Sequence, residues 1–404
     1  MSSIFRRPLR PIVAALVCAA FSPSDPLAAQ EVPEVSLAKA TAEIRGGLKS
    51  ARSVYELRDG RLLIADALGG KLRVADLSAG AVEDRLSAGS EDDTFRAIGA
   101  LWSWPADSVA FVDVVKGRLT ILSPDGRFAR AITLSEALAP TAAGQPAAAR
   151  GPRLPALRYL VSPTLAIGAG FPPRVAPATG LAPPVRVPYP LVRFDIATAS
   201  YDTIIQLMPP QQPRAFVLSQ TVGTLSLFVG TESLQSVDAW AVLSDGTVVV
   251  VRAGGYRLDL IAPDRSRTQV GPIAFPKIPV TDGDRKRIMA SYKAAMTAQI
   301  ASNPRLAVVR SVEYEEPSTW PVTHPPFRGD VGARVDRRDQ IWLSTRCAKQ
   351  EQADCYDVIS RAGERVMRVR LPDKTALLGF GKDAVYLAME EKGDKLVVQR
   401  YALP

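Results

Sequence analysis

Histidine and asparagine are almost missing from this chain. Its 404 residues hold one of each, His324 and Asn303, and only three cysteines. A single imidazole cannot build a three-histidine zinc hydrolase, an H-E-x-x-H peptidase helix, or any other centre with several histidine ligands. A G-x-S-x-G nucleophile elbow is also missing, although a Ser-His-Asp triad around His324 remains conceivable. What is plentiful is apolar and turn-forming residues: 47% hydrophobic, with 33 prolines and 28 glycines. That excludes a wholly disordered chain and is enough for one large β or α/β domain, or two ordinary ones.

The first thirty residues read as a targeting segment. Arg6, Arg7 and Arg10 precede the apolar run Pro11 to Phe21, and Pro26-Leu27-Ala28-Ala29-Gln30 follows. This is the order of a secretory signal peptide, cleaved near Ala29 or Gln30. The apolar run is too short to cross a bilayer, so no transmembrane segment is expected in the mature chain. Cys18 lies in the run without the small residues of a lipobox before it, which argues against a lipoprotein. Residues 1–29 are therefore expected to be removed, residues 30–404 to form one domain, and the product to be periplasmic or secreted. Cleavage removes three arginines and Asp25, taking the formal charge from +9 to +7. Of the cysteines it leaves Cys347 and Cys355, and an even pair in an exported chain reads as a disulfide.

The remainder repeats. Leu57-Arg58-Asp59-Gly60 leads into Arg61 to Asp66, then Gly69-Gly70-Lys71-Leu72. The same order recurs at Ala106-Asp107 with Gly117-Arg118-Leu119, at Ser244-Asp245-Gly246 with Gly255-Tyr256-Arg257-Leu258, and at Asp383 with Gly393-Asp394-Lys395-Leu396. The turn aspartate precedes the cation by 12 residues in three copies (Asp59/Lys71, Asp245/Arg257, Asp383/Lys395) and by 11 in Asp107/Arg118. Asp-Gly suits a tight hairpin because both residues tolerate positive φ, and the β-branched runs that follow suit strands buried on both sides. Four short strands at forty-odd-residue spacing form a propeller blade. Six copies are counted, at roughly 52–86, 98–134, 157–207, 236–275, 331–371 and 374–403, which predicts an all-β, six-bladed β-propeller. The last copy runs out of chain, and the segment Glu34 to Ile44 is expected to supply its outer strand and close the ring. Two insertions interrupt the rhythm: a Pro-rich loop over 138–190 and a helix at about 281–302, capped by Thr281 or Asp282, with Ile288, Tyr292, Met296 and Ile300 on one face.

The strand–Asp-Gly–strand–Gly–basic–Leu order resembles six-bladed propellers of the NHL and TolB-like superfamily over about residues 34–403. Trp320-Pro321-Val322-Thr323-His324-Pro325-Pro326-Phe327 and the Asp336 to Trp342 strand are similar to exported bacterial propellers with a helix before blade five. Such folds host binding, lyase, lactonase and dehydrogenase functions alike, so architecture does not choose among them. The resemblance to lactonases implies a channel cation held by Glu, Asn and Asp; here asparagine is short, and Asp66, Asp113 and the turn aspartates recur because every blade needs a turn or strand end. The cluster Glu313-Tyr314-Glu315-Glu316 reads as a solvated loop. The resemblance to quinoprotein sugar dehydrogenases implies a histidine base, for which only His324 is available.

The leading expectation is thus an exported, non-enzymatic binding or interaction scaffold without cofactor or metal, whose partner is a protein, a small molecule or a carbohydrate. A lactonase-type hydrolase and a quinoprotein-like dehydrogenase stand as alternatives. The expected binding residues are the aromatic and cationic group Trp320, His324, Phe327 and Arg328. Basic residues are scattered, with short runs only at Arg285-Lys286-Arg287 and Arg337-Arg338, so no nucleic-acid partner is expected. Trp102-Ser103-Trp104 is expected to pack in the core.

Overall fold

A computed structural model describes residues 32–404 except 38, 46, 135–155, 171–187, 199, 208–213, 220–222, 228–233, 235–236, 303–308, 316–319, 329–331, 348–353 and 392–394. Residues 1–31, which include the expected signal segment, and most of the Pro-rich insertion lie outside the described residues.

The protein is a six-bladed β-propeller with a single helix. Blade one contains Val54–Glu56, Leu62–Asp66, Lys71–Asp76 and Ala81–Ser87 as an antiparallel meander, innermost strand first. Blade two runs from Trp102–Trp104 to Phe128–Thr133, blade three from Ala156–Ser162 to Ser200–Leu207, and blade four from Ala239–Val242 to Arg267–Val270. Blade five opens with Ala333–Val335 and blade six with Thr375–Phe380.

One sheet cannot bury both of its faces, and the ring solves this by placing a hydrophobic core in every gap between blades. Leu63, Phe95 and Phe111 lie between blades one and two, and Trp102, Trp104 and Phe194 between two and three. Trp240 and Leu191 fill the next gap, then Tyr256 and Ile341, then Trp342 and Val385, and Ile44, Ile64 and Tyr386 complete the circle between blades six and one. This is why the middle strands Leu62–Asp66 and Val248–Arg252 read as near-continuous apolar runs rather than alternating ones.

The N-terminal segment divides. Ala42–Arg45 pairs antiparallel with Lys395–Ala402 as the outer strand of blade six. Glu34–Ser36 instead adds a parallel fifth strand to blade five, beside Arg365–Arg370. Glu34–Ser36 and Ala42–Arg45 therefore pair with two different blades.

The ladders also explain the one short repeat. The last register pair of the second and third strands is Asp66 with Lys71 in blade one and Asp113 with Arg118 in blade two. Counting back from that pair, Asp107 occupies the place of Gly60, not of Asp59. Its φ is +56°, against +83° at Gly60, so an aspartate takes the left-handed turn position there.

Between blades four and five lie the helix, Asp282–Ser302, and the strand Val309–Glu315. Thr281 is its cap: its hydroxyl accepts from the Asp284 amide at 3.2 Å, and Asp284 accepts from the Thr281 amide at 2.9 Å. Met289, Tyr292 and Met296 form the buried stripe, with Ile300 and Trp320 packed against it. Val309–Glu315 belongs to a small separate sheet with Arg214–Ser219 and Gly223–Leu227. Glu313, Tyr314 and Glu315 thus lie in a strand, not the loop their acidity suggests, and Glu316 falls outside the described residues.

Cys347 and Cys355 are disulfide-bonded, with Cα atoms 5.3 Å apart, and staple the second hairpin of blade five. Closing so short a loop restricts the unfolded chain by about 2–3 kcal/mol. Replacing both cysteines by serine is expected to lower the unfolding free energy by about 2–3 kcal/mol, read as a lower urea midpoint.

Candidate functional site

The end of the second strand is a charged position with a repeated task. Asp66 is fully buried and accepts from the amides of Ser50 at 2.9 Å and Gly69 at 2.9 Å, and from the Ser50 hydroxyl at 3.2 Å. Asp113, equally buried, accepts from the amides of Arg96 at 2.7 Å, Ala97 at 3.1 Å and Lys116 at 3.1 Å. Each carboxylate thereby ties the segment entering its blade to the tip of the second hairpin.

In blade four the same register position is Arg252, which pairs with Arg257 at the end of the ladder. The polarity is reversed: Arg252 bonds Asp238, in the entering segment, at 2.5 Å, and Asp259 at 2.7 Å. In blade five the position is Arg346, opposite Asp354. Its guanidinium lies 2.9 Å from Asp284 Oδ1 and 3.2 Å from His324 Nε2.

His324 is therefore part of a blade joint. Its ring is buried, with Nε2 also 3.2 Å from Asp284 Oδ2, and its amide donates to the Ile278 carbonyl at 2.8 Å. That nitrogen either donates to Asp284 or accepts from Arg346 in a given tautomer. Burial on its own would raise the Asp284 carboxyl. The Thr281 hydroxyl and amide, His324 and Arg346 outweigh it and hold the carboxyl well below the ordinary range.

The other expected binding residues have separate surroundings. Trp320 packs on the helix stripe, and Phe327 is buried 5.5 Å from the Tyr256 ring between blades four and five. Arg328 reaches Asp354 at 3.2 Å. The structure thus distributes these residues, with His324, among three neighbouring packing sites.

A different group meets at the ring axis. Blades three and five are not neighbours, nor are five and one, so a side chain bridging either pair must pass the channel. Tyr159, on the innermost strand of blade three, places its hydroxyl 3.4 Å from the Ala333 carbonyl of blade five. The adjacent Arg158 is exposed; it lies 5.8 Å from the Trp240 ring centroid, and a side chain added at Gly332 would come within 3.7 Å of its guanidinium. Arg334, on the innermost strand of blade five, donates to the Leu378 carbonyl at 3.0 Å. Arg337, in the following turn, sits 5.4 Å over the Tyr55 ring of blade one. Burial raises the Tyr159 hydroxyl pKa, and both Arg334 and Arg158 act against that rise, which places both cations near one phenol. Sequence reasoning did not single these residues out as a site. The available signal was an arginine within a short first strand whose other residues are mostly apolar, as in Leu157-Arg158-Tyr159-Leu160 and Ala333-Arg334-Val335.

Among the described residues no group of three or more histidine, cysteine, aspartate or glutamate side chains is placed to hold a metal ion. The buried carboxylates of Asp66 and Asp113 are engaged by backbone amides.

Replacing Asp284 by asparagine is expected to destabilise the protein by about 1–3 kcal/mol at neutral pH, through lost charged hydrogen bonds. Because the folded carboxyl is depressed, its contribution is present above the unfolded value, near pH 4, and declines as pH falls toward the folded value. Urea midpoints of the two proteins should converge below about pH 4; a gap that stays constant from pH 7 to pH 2 would contradict the assignment.

No family model and no curated protein matches the chain. Solved structures do, at low identity. A member of the DUF4221 family from Bacteroides vulgatus is 9% identical, with a TM-score of 0.48, covering 89% of this chain and 96% of that one. A gluconolactonase from Xanthomonas campestris is 13% identical, with a TM-score of 0.37, over 91% and 87% of the two chains. The quinone-bound aldose sugar dehydrogenase of Streptomyces coelicolor is 9% identical, with a TM-score of 0.39, over 90% and 97%. What this chain has in common with these proteins is the six-bladed propeller fold.

Proposed function

We propose that the protein is an exported, non-enzymatic binding scaffold of the NHL and TolB-like kind, and that its ligand site is the central channel. The observation that carries this reading is the meeting of Arg158 of blade three and Arg334 of blade five beside Tyr159, with Trp240 next to Arg158, and the reach of Arg337 from blade five to Tyr55 of blade one. The ligand thus belongs at the axis rather than at the 319–328 loop, because His324 and Phe327 are buried in blade joints and cores. The buried charges of the second-strand ends serve assembly: removing any one would leave several amides or a guanidinium unpaired inside the protein.

Calcium titration of the mature protein separates this reading from a lactonase. The scaffold predicts no tight, stoichiometric heat of binding in calorimetry. One-to-one uptake at micromolar calcium, accompanied by lactone hydrolysis, would overturn it in favour of the metal-dependent hydrolase.

A further inference from the structure

Resting on the channel as the ligand site, we infer that the ligand is an anion carrying at least two oxyanion groups, such as carboxylates, recognised by Arg158 and Arg334. The argument starts from what neutralises arginine elsewhere in the chain. Arg252 and Arg267 share Asp259, Arg365 and Arg368 share Asp357, and Arg346 pairs with Asp284. Among the described residues no ion pair of this kind joins a carboxylate to Arg158, Arg334 or Arg337. They are held by two aromatic faces and a backbone carbonyl instead.

Carboxylates at the inner strands are already engaged. Glu56, at the end of the blade-one inner strand, takes the Tyr386 hydroxyl and the Lys382 amide. Asp238, at the start of blade four, takes Arg252 and the Ala253 amide. Neither carboxylate therefore offsets Arg158 or Arg334, and positive charge between low-dielectric walls concentrates its field on an incoming anion.

Arginine chemistry suits the same ligand. A guanidinium held near an aromatic face by cation–π attraction still has N–H donors to meet a carboxylate in the bidentate manner. The Arg158 guanidinium carbon lies 5.8 Å from the Trp240 ring centroid. Arg334, already donating one N–H to Leu378, retains others. Two such cations from blades three and five favour a ligand with two anionic groups over one with a single charge.

Calorimetric titration of the mature protein with citrate tests this. The expected result is saturable one-to-one binding, weakened about tenfold or more by Arg158→Gln and by Arg334→Gln, and unchanged by Arg58→Gln, whose side chain is exposed and pairs with Asp107. Gly332→Asp, which brings a carboxylate beside Arg158 at a backbone φ of +80°, strained for any side chain but least so for aspartate and asparagine, should abolish binding as an internal competitor. Melting curves confirm that each variant folds; an arginine variant that does not is replaced by the Arg→Lys change at its position, expected to retain weakened binding, and Gly332→Asp is compared with Gly332→Asn, which adds the same bulk without the charge and is expected to keep binding. A parallel titration with neutral cellohexaose separates the two readings. Cellohexaose binding that is lost in Arg158→Gln, with citrate ignored, overturns the anionic ligand and leaves the channel site standing. Citrate binding that is equal in all variants overturns the channel as the site.

Discussion

The structure depends on how a blade is fastened to the segment that enters it. Hydrophobic packing between blades is non-directional and would tolerate sliding of one twisted sheet over the next. In blades one, two, four and five a charged residue at the last pair of the second strand removes that freedom, whereas blade three has Ala169 at that position. Asp66 and Asp113 collect amides from a segment 16–17 residues earlier and from their own hairpin tip, so two loops share one buried acceptor. The joint is kept where the residue type is not. Arg252 reverses the charge and Asp238 answers it, while Arg346 is answered by Asp284 from the helix, with His324 beside it. The inserted helix is therefore tied into blade five through its own N-terminal cap.

This use of carboxylates shapes the channel. Acidic side chains at the blade ends are occupied by assembly, and among the described residues Arg158 and Arg334 on the inner strands have no carboxylate partner, only the Trp240 ring and the Leu378 carbonyl. Short contacts between non-adjacent blades, such as Tyr159 with the Ala333 carbonyl, show how closely blades three and five approach there. The anion site proposed for the channel would therefore be built from the same inner strands that fix the ring.

The propeller was legible in the sequence because turn chemistry and strand burial repeat with a fixed period. Turn aspartates, apolar second strands and Gly-led, basic third strands marked four blades, the outer strands Leu191 to Ile196 and Tyr201 to Ile205 marked blade three, Val335 to Ser344 marked blade five, and the amphipathic stripe located the helix. Where the reading departs from the structure, non-local pairing decides. Nothing local to Glu34–Ser36 marks it for a parallel partner in blade five. The small sheet holding Val309–Glu315 joins segments about ninety residues apart, which no repeat signals. The lone histidine drew attention as a chemical group, yet its role follows from Asp284 and Arg346, brought to it only by folding. Conversely, Arg158 and Arg334 looked like ordinary strand arginines, because circular closure alone sets blades three and five across a common axis.

The most direct test of the central claim is a crystal structure of the mature protein soaked with a tricarboxylate at a concentration that saturates it in solution. The account predicts the anion on the ring axis, its carboxylates within hydrogen-bond distance of Arg158 and Arg334. An empty axis with the anion bound only on the outer rim, or a carboxylate side chain of the protein found closing over Arg158, would contradict it.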